Sequence, residues 1–237
     1  MTSSKPYQYA KGWVEFYKLK FKVTPDVLIP RPETELLVDC VVDFLNSITS
    51  QPVNEQTSIR VLDIGTGSGN IAISLAKNLR LHPKGVKVKI IATDISQKTL
   101  KVARQNARLH EVEDEIGFVK SNLLSNVPRS WDSCVIVTNL PYIPSERIPY
   151  LDSSVKDFEP LIALDGGEDG FALYRKLFSQ ISTMQPRGLK PKLLVGEIDY
   201  THGELAAAEA LKYFPKAQAE VKTDLAYKQR ILKITFS

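Results

Sequence analysis

Residues 61–69 read Val-Leu-Asp-Ile-Gly-Thr-Gly-Ser-Gly, and this stretch decides the fold. Its apolar residues end a predicted strand, and its glycines form a loop that opens a helix predicted over 70–79. Glycines let the backbone approach a ligand closely, and the amino end of the helix offers free N–H groups. The stretch therefore predicts a strand, loop and helix that bind a ligand, although a lone glycine loop identifies no single cofactor.

Strands alternate with helices through the rest of the chain. Apolar runs predict five strands, at 59–64, 86–93, 118–119, 134–137 and 193–195. Two alternating segments, 219–222 and 231–236, predict an antiparallel edge hairpin. This order is typical of an α/β fold of the Rossmann-like kind, with a doubly wound, mostly parallel seven-stranded sheet and an antiparallel C-terminal edge hairpin.

The first 58 residues depart from this alternation. Aromatic residues between Tyr7 and Phe21 and short alternations predict a small hairpin. A helix should follow it, because apolar residues recur at helical spacing: Leu36, Leu37, Cys40, Val41, Phe44, Leu45 and Ile48. The polar stretch 49–58 predicts a surface loop. We therefore expect residues 1–58 to form a hairpin and lead-in helix packed on a main domain of residues 59–237.

Composition excludes several classes of protein. No apolar run in the 237 residues approaches the roughly 18 needed to span a membrane, and the start resembles no signal peptide. We therefore expect a cytoplasmic protein with no membrane partner. Two cysteines and three scattered histidines lack ligand spacing, which predicts no metal site. The net charge of +4 is weak for a nucleic-acid binder, so direct nucleic-acid binding is not expected.

Two carboxylates follow the predicted strands and indicate the charge of the ligand. Asp63 directly precedes the glycine loop, where a negative charge disfavours phosphate, and Asn70 stands where a dinucleotide fingerprint needs Gly or Ala. A cationic ligand such as S-adenosylmethionine suits this position. Asp94, after the second strand, could accept both ribose hydroxyls of that cofactor. The alternative role of Asp94 is a helix cap, which Ser96 can already supply.

Residues after the third predicted strand complete this cofactor site. Asn122 could bond the amino group of an adenine, and Leu123 could pack on its ring. A polar loop residue followed by a core leucine would explain both positions equally well. The predicted cofactor-binding set contains Asn122 and Leu123 and, in addition, Asp63, Gly65, Thr66, Gly67, Ser68, Gly69, Asp94 and Asn139.

The fourth predicted strand runs into Thr138-Asn139-Leu140-Pro141-Tyr142-Ile143-Pro144. An amide nitrogen attacks poorly unless acceptors hold both of its N–H bonds and offset the charge developing on nitrogen. Asn139 Oδ1 and the Leu140 carbonyl could be those acceptors, with Pro141 fixing the turn and Tyr142 walling the pocket. The alternative is a plain turn, since Asn and Pro are common turn residues.

These motifs resemble those of the HemK/PrmC family of S-adenosylmethionine-dependent glutamine methyltransferases, which modify the Gly-Gly-Gln loop of peptide chain release factors. The resemblance covers nearly the whole chain and rests on four segments: residues 28–35 (Leu-Ile-Pro-Arg-Pro-Glu-Thr-Glu), 63–69, 139–143 (Asn-Leu-Pro-Tyr-Ile) and 158–170. It implies S-adenosylmethionine as cofactor and a release factor as protein substrate. The segment 30–34 should close over the cofactor, and Phe158-Glu159-Pro160 should line the substrate side.

Two departures from the family pattern keep other functions open. The family usually carries an amino-terminal helical domain for substrate recognition, and this chain begins where that domain would end, so a partner subunit could take its place. Position 140 is leucine where the family usually has proline, a form better known in ribosomal RNA adenine dimethylases. The alternatives are thus an adenine N6-methyltransferase acting on RNA or DNA and a non-catalytic cofactor-binding module. A basic stripe, Lys98, Lys101, Arg104 and Arg108, would serve RNA, although such stripes are more often solvated faces.

Overall fold

The computed structural model describes residues 5–48, 58–79, 87–127 and 131–236. The helices are α1 (Tyr7–Lys11), α2 (Glu35–Ile48), α3 (Asn70–Leu79), α4 (Gln97–Leu109), α5 (Ser153–Lys156), α6 (Ala172–Met184) and α7 (Gly203–Tyr213). The strands are β1 (Trp13–Phe16), β2 (Leu19–Lys22), β3 (Ser58–Ile64), β4 (Lys87–Asp94), β5 (Ile116–Lys120), β6 (Trp131–Thr138), β7 (Leu189–Glu197), β8 (Gln218–Thr223) and β9 (Gln229–Thr235). Within these ranges no helix has both the length and the apolar character needed to cross a membrane.

Seven strands form one twisted sheet in the order β5-β4-β3-β6-β7-β9-β8. The first five are parallel, and β9 pairs antiparallel with both β7 and β8. The predicted fold class is confirmed, including the antiparallel hairpin at one edge. Strand order reverses between β3 and β6, and open α/β sheets bind their ligands at the carboxyl ends of strands at such a point.

Several strands extend beyond the residues predicted for them, because pairing continues where the apolar run stops. The third predicted strand grows to β5, since Ile116 and Gly117 pair with β4. The fifth grows to β7, whose residues alternate buried and exposed from Leu189 to Lys192. The alternation was not recognised in the sequence because Pro191 argues against a strand interior. Pro191 lies where the register between β7 and β6 shifts. Residues 49–57 of the predicted loop and Val86 lie outside the described ranges, and Ser58 opens β3.

The N-terminal segment is a short helix followed by the predicted hairpin. Residues 7–11 form α1, which aromatic alternation did not indicate. Strands β1 and β2 then pair antiparallel about a two-residue turn in which Tyr17 and Lys18 both adopt positive φ angles, 50° and 59°. The predicted lead-in helix is confirmed as α2. The division of the chain into residues 1–58 and 59–237 stays a prediction.

Two apolar layers cover the two faces of the sheet. One contains α2, α3 and the hairpin, so that Phe16, Phe21 and Leu37 share a cluster with Val61 of β3. The other contains α6 and α7, where Phe171 and Tyr174 stack with ring centroids 4.9 Å apart. Both layers leave the carboxyl edge of the parallel strands open for a site.

A buried asparagine ties the hairpin to the glycine loop. Asn106 of α4 accepts a hydrogen bond from the Lys22 backbone N–H (2.8 Å) and donates to the Lys22 carbonyl (3.0 Å). Its amide also donates to the carbonyl of Ser68 at 2.8 Å. One side chain thus holds β2 and the loop after β3 in a fixed relation.

We expect Asn106→Ala to lower the free energy of unfolding by about 1–3 kcal/mol, because it leaves the buried Ser68 carbonyl and the partly buried backbone groups of Lys22 without these partners. Gln105→Ala, a change of the half-exposed neighbour on the same helix, should stay within about 0.5 kcal/mol. Urea unfolding of both variants measures the difference. Equal losses in the two would show that Asn106 is no more than an ordinary helix residue.

Candidate active site

The glycine loop leaves β3 beside the end of β4. The backbone N–H groups of Gly65 and Thr66 both donate to the Thr93 carbonyl, at 2.9 and 2.8 Å. Gly65 and Gly67 adopt φ angles of 74° and 58°, which favour glycine. A Cβ on Gly67 would meet nothing within 4 Å, so the loop turns an open backbone surface toward the cavity.

Asp63 holds this loop from behind and does not line the cavity. Its Oδ2 accepts from the Thr66 hydroxyl (2.6 Å) and the Ala72 N–H (3.2 Å), and the side chain is fully buried. Its Oδ1 has no hydrogen-bond partner in the described part of the chain. Burial raises the pKa of the carboxyl group to about 7. Its proposed contact with a cationic ligand therefore stays a prediction that the side-chain direction does not favour.

Asp94 faces the cavity at the end of β4. One carboxylate oxygen accepts from the Gly67 N–H at 3.1 Å and the other from the Ser96 N–H at 2.9 Å. Ser96 is the cap of α4, because its hydroxyl accepts from the Thr99 N–H at 3.2 Å. Asp94 is thus not the cap. Burial raises the pKa of Asp94, and the backbone N–H groups of Ser96, Gly67 and Ile95 act in the opposite sense.

Asn122 and Leu123 line the same cavity after β5. Leu123 is buried, and its φ of 55° is uncommon for a residue with a side chain. The Asn122 Oδ1 accepts from Lys176 Nζ at 3.1 Å. Both residues line the cavity, and their contact with an adenine stays a prediction, while Leu123 also belongs to the core.

Asn139 lies at the end of β6, beside the glycine loop. A Cβ on Gly65 would approach Leu140 Cδ2 to 3.3 Å, so the two loops are in contact. The Asn139 Nδ2 donates to Thr34 Oγ1 at 3.2 Å. Within the described ranges nothing donates to Asn139 Oδ1 or to the Leu140 carbonyl. Two neighbouring acceptors are thus free at the cavity wall.

A buried carboxylate stands behind Asn139. Glu197, at the end of β7, accepts from the Thr34 hydroxyl at 2.6 Å and from the Tyr142 hydroxyl at 2.9 Å. Burial raises the pKa of Glu197, and the two hydroxyl donors act in the opposite sense. Burial and the neighbouring Glu197 also raise the pKa of Tyr142, which keeps its phenol a donor. Tyr142 therefore supports the site and does not line the cavity.

The glycine-rich segment 163–170 packs on the backbone of the Asn139 motif. Gly166 donates to the Ile143 carbonyl at 2.9 Å. A Cβ on Gly166 would lie 2.8 Å from the Pro141 carbonyl oxygen, and one on Gly170 would lie 2.3 Å from that of Tyr142. Only residues without a side chain allow the two segments to approach this closely.

The segment from Ile29 to Thr34 forms one wall of the cavity and is fixed by Glu159. The buried Glu159 carboxylate accepts from the Ile29 N–H at 3.2 Å and forms an ion pair with Arg31. Arg31 and Pro160 both line the cavity. Two of the four segments that carry the resemblance are therefore joined across 128 residues of chain.

Most predicted site residues meet at one cavity: Gly65, Thr66, Gly67, Ser68, Asp94, Asn122, Leu123, Asn139, Leu140 and Pro141. Asp63 and Tyr142 lie behind it, and Gly69 lies where α3 meets α4, such that a Cβ there would come within 3.3 Å of Ala103 Cβ. The sequence assigned no role to Glu197, and it predicted for Thr34 only that the segment 30–34 closes over the cofactor. An acidic residue ending the apolar run Leu193-Leu194-Val195 was the signal that could have indicated Glu197.

The sheet order and the two loops at its carboxyl edge define a Rossmann-like methyltransferase. Residues 55–144 match the family described as methyltransferase domain. Among solved structures, the human hMettl16 catalytic domain in complex with MAT2A 3'UTR hairpin 6 is similar in fold, with a TM-score of 0.69 at 16% identity. The match covers 93% of this chain and 77% of that one.

Relatives at higher identity carry a more specific name. The release factor glutamine methyltransferase of Lactococcus lactis subsp. lactis is 36% identical over 232 residues, which are 98% of this chain and 77% of that protein. The protein of the same name from Bacillus cereus is 38% identical over 230 residues, 96% of this chain and 75% of that protein. The chain belongs to the release factor glutamine methyltransferase family.

The raised pKa of Asp63 predicts a pH dependence of stability. Its carboxyl group moves from 3.8 to about 7 on folding, so between these values the folded state holds a proton that the unfolded state releases. The protonated Asp63 therefore stabilises the folded state fully below about pH 4, and this stabilisation is lost as pH rises through 7. The loss in the free energy of unfolding is about 1.4 kcal/mol for each unit of difference between the two pKa values.

Asp63→Asn keeps an oxygen for Thr66 and Ala72 and removes the titration. We therefore expect it to gain stability relative to the wild type as pH rises from about 5 to about 8, measured by urea unfolding without ligands. A constant difference between the two proteins over this range would contradict the assignment.

Proposed function

We propose that this protein transfers a methyl group from S-adenosylmethionine to the side-chain amide nitrogen of the glutamine in the Gly-Gly-Gln loop of a peptide chain release factor. The observation that carries the proposal is the pair of free acceptors, Asn139 Oδ1 and the Leu140 carbonyl, at the wall of the cavity that the glycine loop shares. The names of the relatives support the same substrate. That substrate belongs to translation, which suits a cytoplasmic protein.

The residues at the cavity fit S-adenosylmethionine. Asp94 lines the cavity, and its carboxylate would accept from a pair of ribose hydroxyls. Asn122 and Leu123 would face the adenine, and the open backbone at Gly67 allows close approach. When bound, this cofactor supplies an activated methyl group on a sulfonium.

The chain's own task is to orient the amide and stabilise charge on its nitrogen. An amide lone pair is delocalised, so the nitrogen becomes nucleophilic only as its N–H bonds are polarised by acceptors. Asn139 Oδ1 and the Leu140 carbonyl would take one N–H each and direct the lone pair toward the methyl group. Pro141, whose φ is fixed by its ring, would fix the direction of the chain directly after these two acceptors. The protonated amide is acidic enough to lose its proton to water, so no base is needed in contact with it.

The basic stripe on α4 does not offer an RNA backbone four uncompensated cations. Arg104 donates to the Phe118 carbonyl at 3.0 Å and lies over the Phe118 ring. Arg108 forms an ion pair with Glu113 at 2.7 Å. Phosphate-backbone binding depends on several free cations, and Arg108 is not one of them because its charge is paired with that of Glu113.

We expect labelled S-adenosylmethionine to mark a release factor and not ribosomal RNA when the protein is incubated with both. Mass spectrometry should place one methyl group on the Gly-Gly-Gln glutamine. Label in RNA and none in the release factor would identify an adenine methyltransferase. Cofactor binding with no label in either would identify a non-catalytic module.

We expect Asn139→Ala to abolish methyl transfer while changing the affinity for S-adenosylmethionine by less than about tenfold, roughly 1.4 kcal/mol, because its free oxygen faces the substrate amide. Calorimetry and a label-transfer assay separate the two effects. A variant that still methylates at the wild-type rate would remove Asn139 from the mechanism.

Asp94→Ala is a control for Asn139→Ala, because its main effect should be on cofactor affinity and not on methyl transfer. It should weaken cofactor binding by about 1–3 kcal/mol, since two ribose hydroxyls lose a charged acceptor. Raising the cofactor concentration should restore part of its rate, which would not happen for Asn139→Ala. If the affinity of Asp94→Ala for the cofactor were unchanged, the carboxylate would only support the glycine loop and would not bind the cofactor.

A further inference from the structure

The orientation of the Asn139 amide is decided by one hydroxyl proton. Thr34 Oγ1 lies 2.6 Å from Glu197 Oε2 and 3.2 Å from Asn139 Nδ2. A threonine hydroxyl has one proton to donate, and a carboxylate can only accept. Thr34 therefore gives its proton to Glu197 and offers Asn139 only lone pairs. Asn139 must turn its NH2 group toward Thr34.

Glu197 is held as an acceptor on both oxygens. Its second oxygen, Oε1, receives the Tyr142 hydroxyl at 2.9 Å, and the side chain is 1% exposed. Thr34 is also buried, so water does not compete for its hydroxyl. The hydroxyls of Thr34 and Tyr142 and the nearby charge of Arg230 all lower the pKa of Glu197, which favours the ionised form and opposes the effect of burial. Hydrogen bonds to a charged acceptor are stronger than neutral ones, which makes the Thr34 hydroxyl direction well defined.

The direction of the Thr34 hydroxyl determines which group Asn139 shows to the substrate. With its NH2 group on Thr34, Asn139 presents Oδ1 to the cavity beside the Leu140 carbonyl. A glutamine amide can donate one N–H to each oxygen. A glutamate carboxylate has no proton for either and would place negative charge against two acceptors, which leaves buried polar groups unpaired.

We propose that Thr34 and Glu197 are positioning residues that select a glutamine amide over a glutamate carboxylate by fixing the orientation of Asn139. The inference rests on the proposed function and adds to it the origin of its selectivity. Thr34 lines the cavity and its hydroxyl is bonded to both Glu197 and Asn139, whereas Glu197 lies behind the cavity. Glu197 acts on Thr34, and Thr34 acts on Asn139.

The selectivity is measured by binding of two release factors to the protein saturated with S-adenosylhomocysteine, one wild type and one with Gln→Glu in its Gly-Gly-Gln loop. We expect the glutamine form to bind at least about tenfold more tightly. In Thr34→Val this ratio should fall at least about fivefold, because the Asn139 amide is free to turn. Thr34→Ser keeps the hydroxyl and should keep the ratio.

If Thr34 had a merely structural role, Thr34→Val would weaken the binding of both release factors alike and leave the ratio of their affinities unchanged. That result would overturn the inference. Adding Glu197→Ala to Thr34→Val should not lower the ratio further, since Glu197 acts through a hydroxyl that is already absent. A further large loss in the double variant would also contradict it.

A second measurement uses the wild-type protein and needs neither turnover nor a folded variant. The Asn139 side-chain N–H bonded to Thr34 should exchange with solvent at least about tenfold more slowly than the side-chain N–H groups of the half-exposed Gln105 in nitrogen-15 NMR spectra. Equal exchange rates would overturn the inference.

The outcomes separate the two proposals. Methylation of the release factor with an unchanged ratio in Thr34→Val would refute the positioning role and leave the proposed function in place. Absence of methylation by the wild type would refute the proposed function, and the exchange of the Asn139 N–H would still decide whether Thr34 orients it.

Discussion

The site depends on the parallel pairing of β3 with β6. Ile64 pairs with Thr138, and the Thr138 hydroxyl donates to the Ile64 carbonyl at 2.6 Å. Because the two strands end side by side, the glycine loop that follows one and the Asn139 turn that follows the other meet at a single edge. Strand ends that lie 74 residues apart in the chain thus share a cavity, as the switch point of a doubly wound sheet requires.

Support for this edge comes from polar groups that the core encloses. Burying Glu197 is unfavourable unless its oxygens are bonded, and the hydroxyls of Thr34 and Tyr142 meet that need. The same bonds fix side chains that the cavity uses. A fully bonded network inside a protein is rigid, because breaking any one link leaves a polar atom without water or a partner. Rigidity of this kind suits a reaction in which orientation supplies most of the catalysis.

Two segments with strong family resemblance have structural reasons for their composition. The proline-rich segment around Arg31 is tied by an ion pair and a backbone bond to Glu159, so it forms a wall with little freedom. The glycine-rich segment around Gly166 crosses the backbone after Asn139 at distances that no Cβ allows. Each segment therefore constrains the cavity from one side, and neither contributes the atoms that would react.

The sequence by itself determined the strands of the main sheet in their order along the chain and the lead-in helix α2, but not the short helix α1 or the full length of β5 and β7. Only the tertiary structure decided where side chains point. The cap at Ser96 depends on neighbouring residues in the chain and was therefore identified correctly, and Asp94 lines the cavity while its contact with a ligand stays a prediction. Asp63 and Tyr142 also have the sequence positions of ligand contacts, yet both lie behind the cavity. Thr34 and Glu197 are 163 residues apart and meet only in the folded chain. Local pattern carries no information on such a contact, because the free energy that favours it arises from burial and hydrogen bonding that exist only after the sheet has formed.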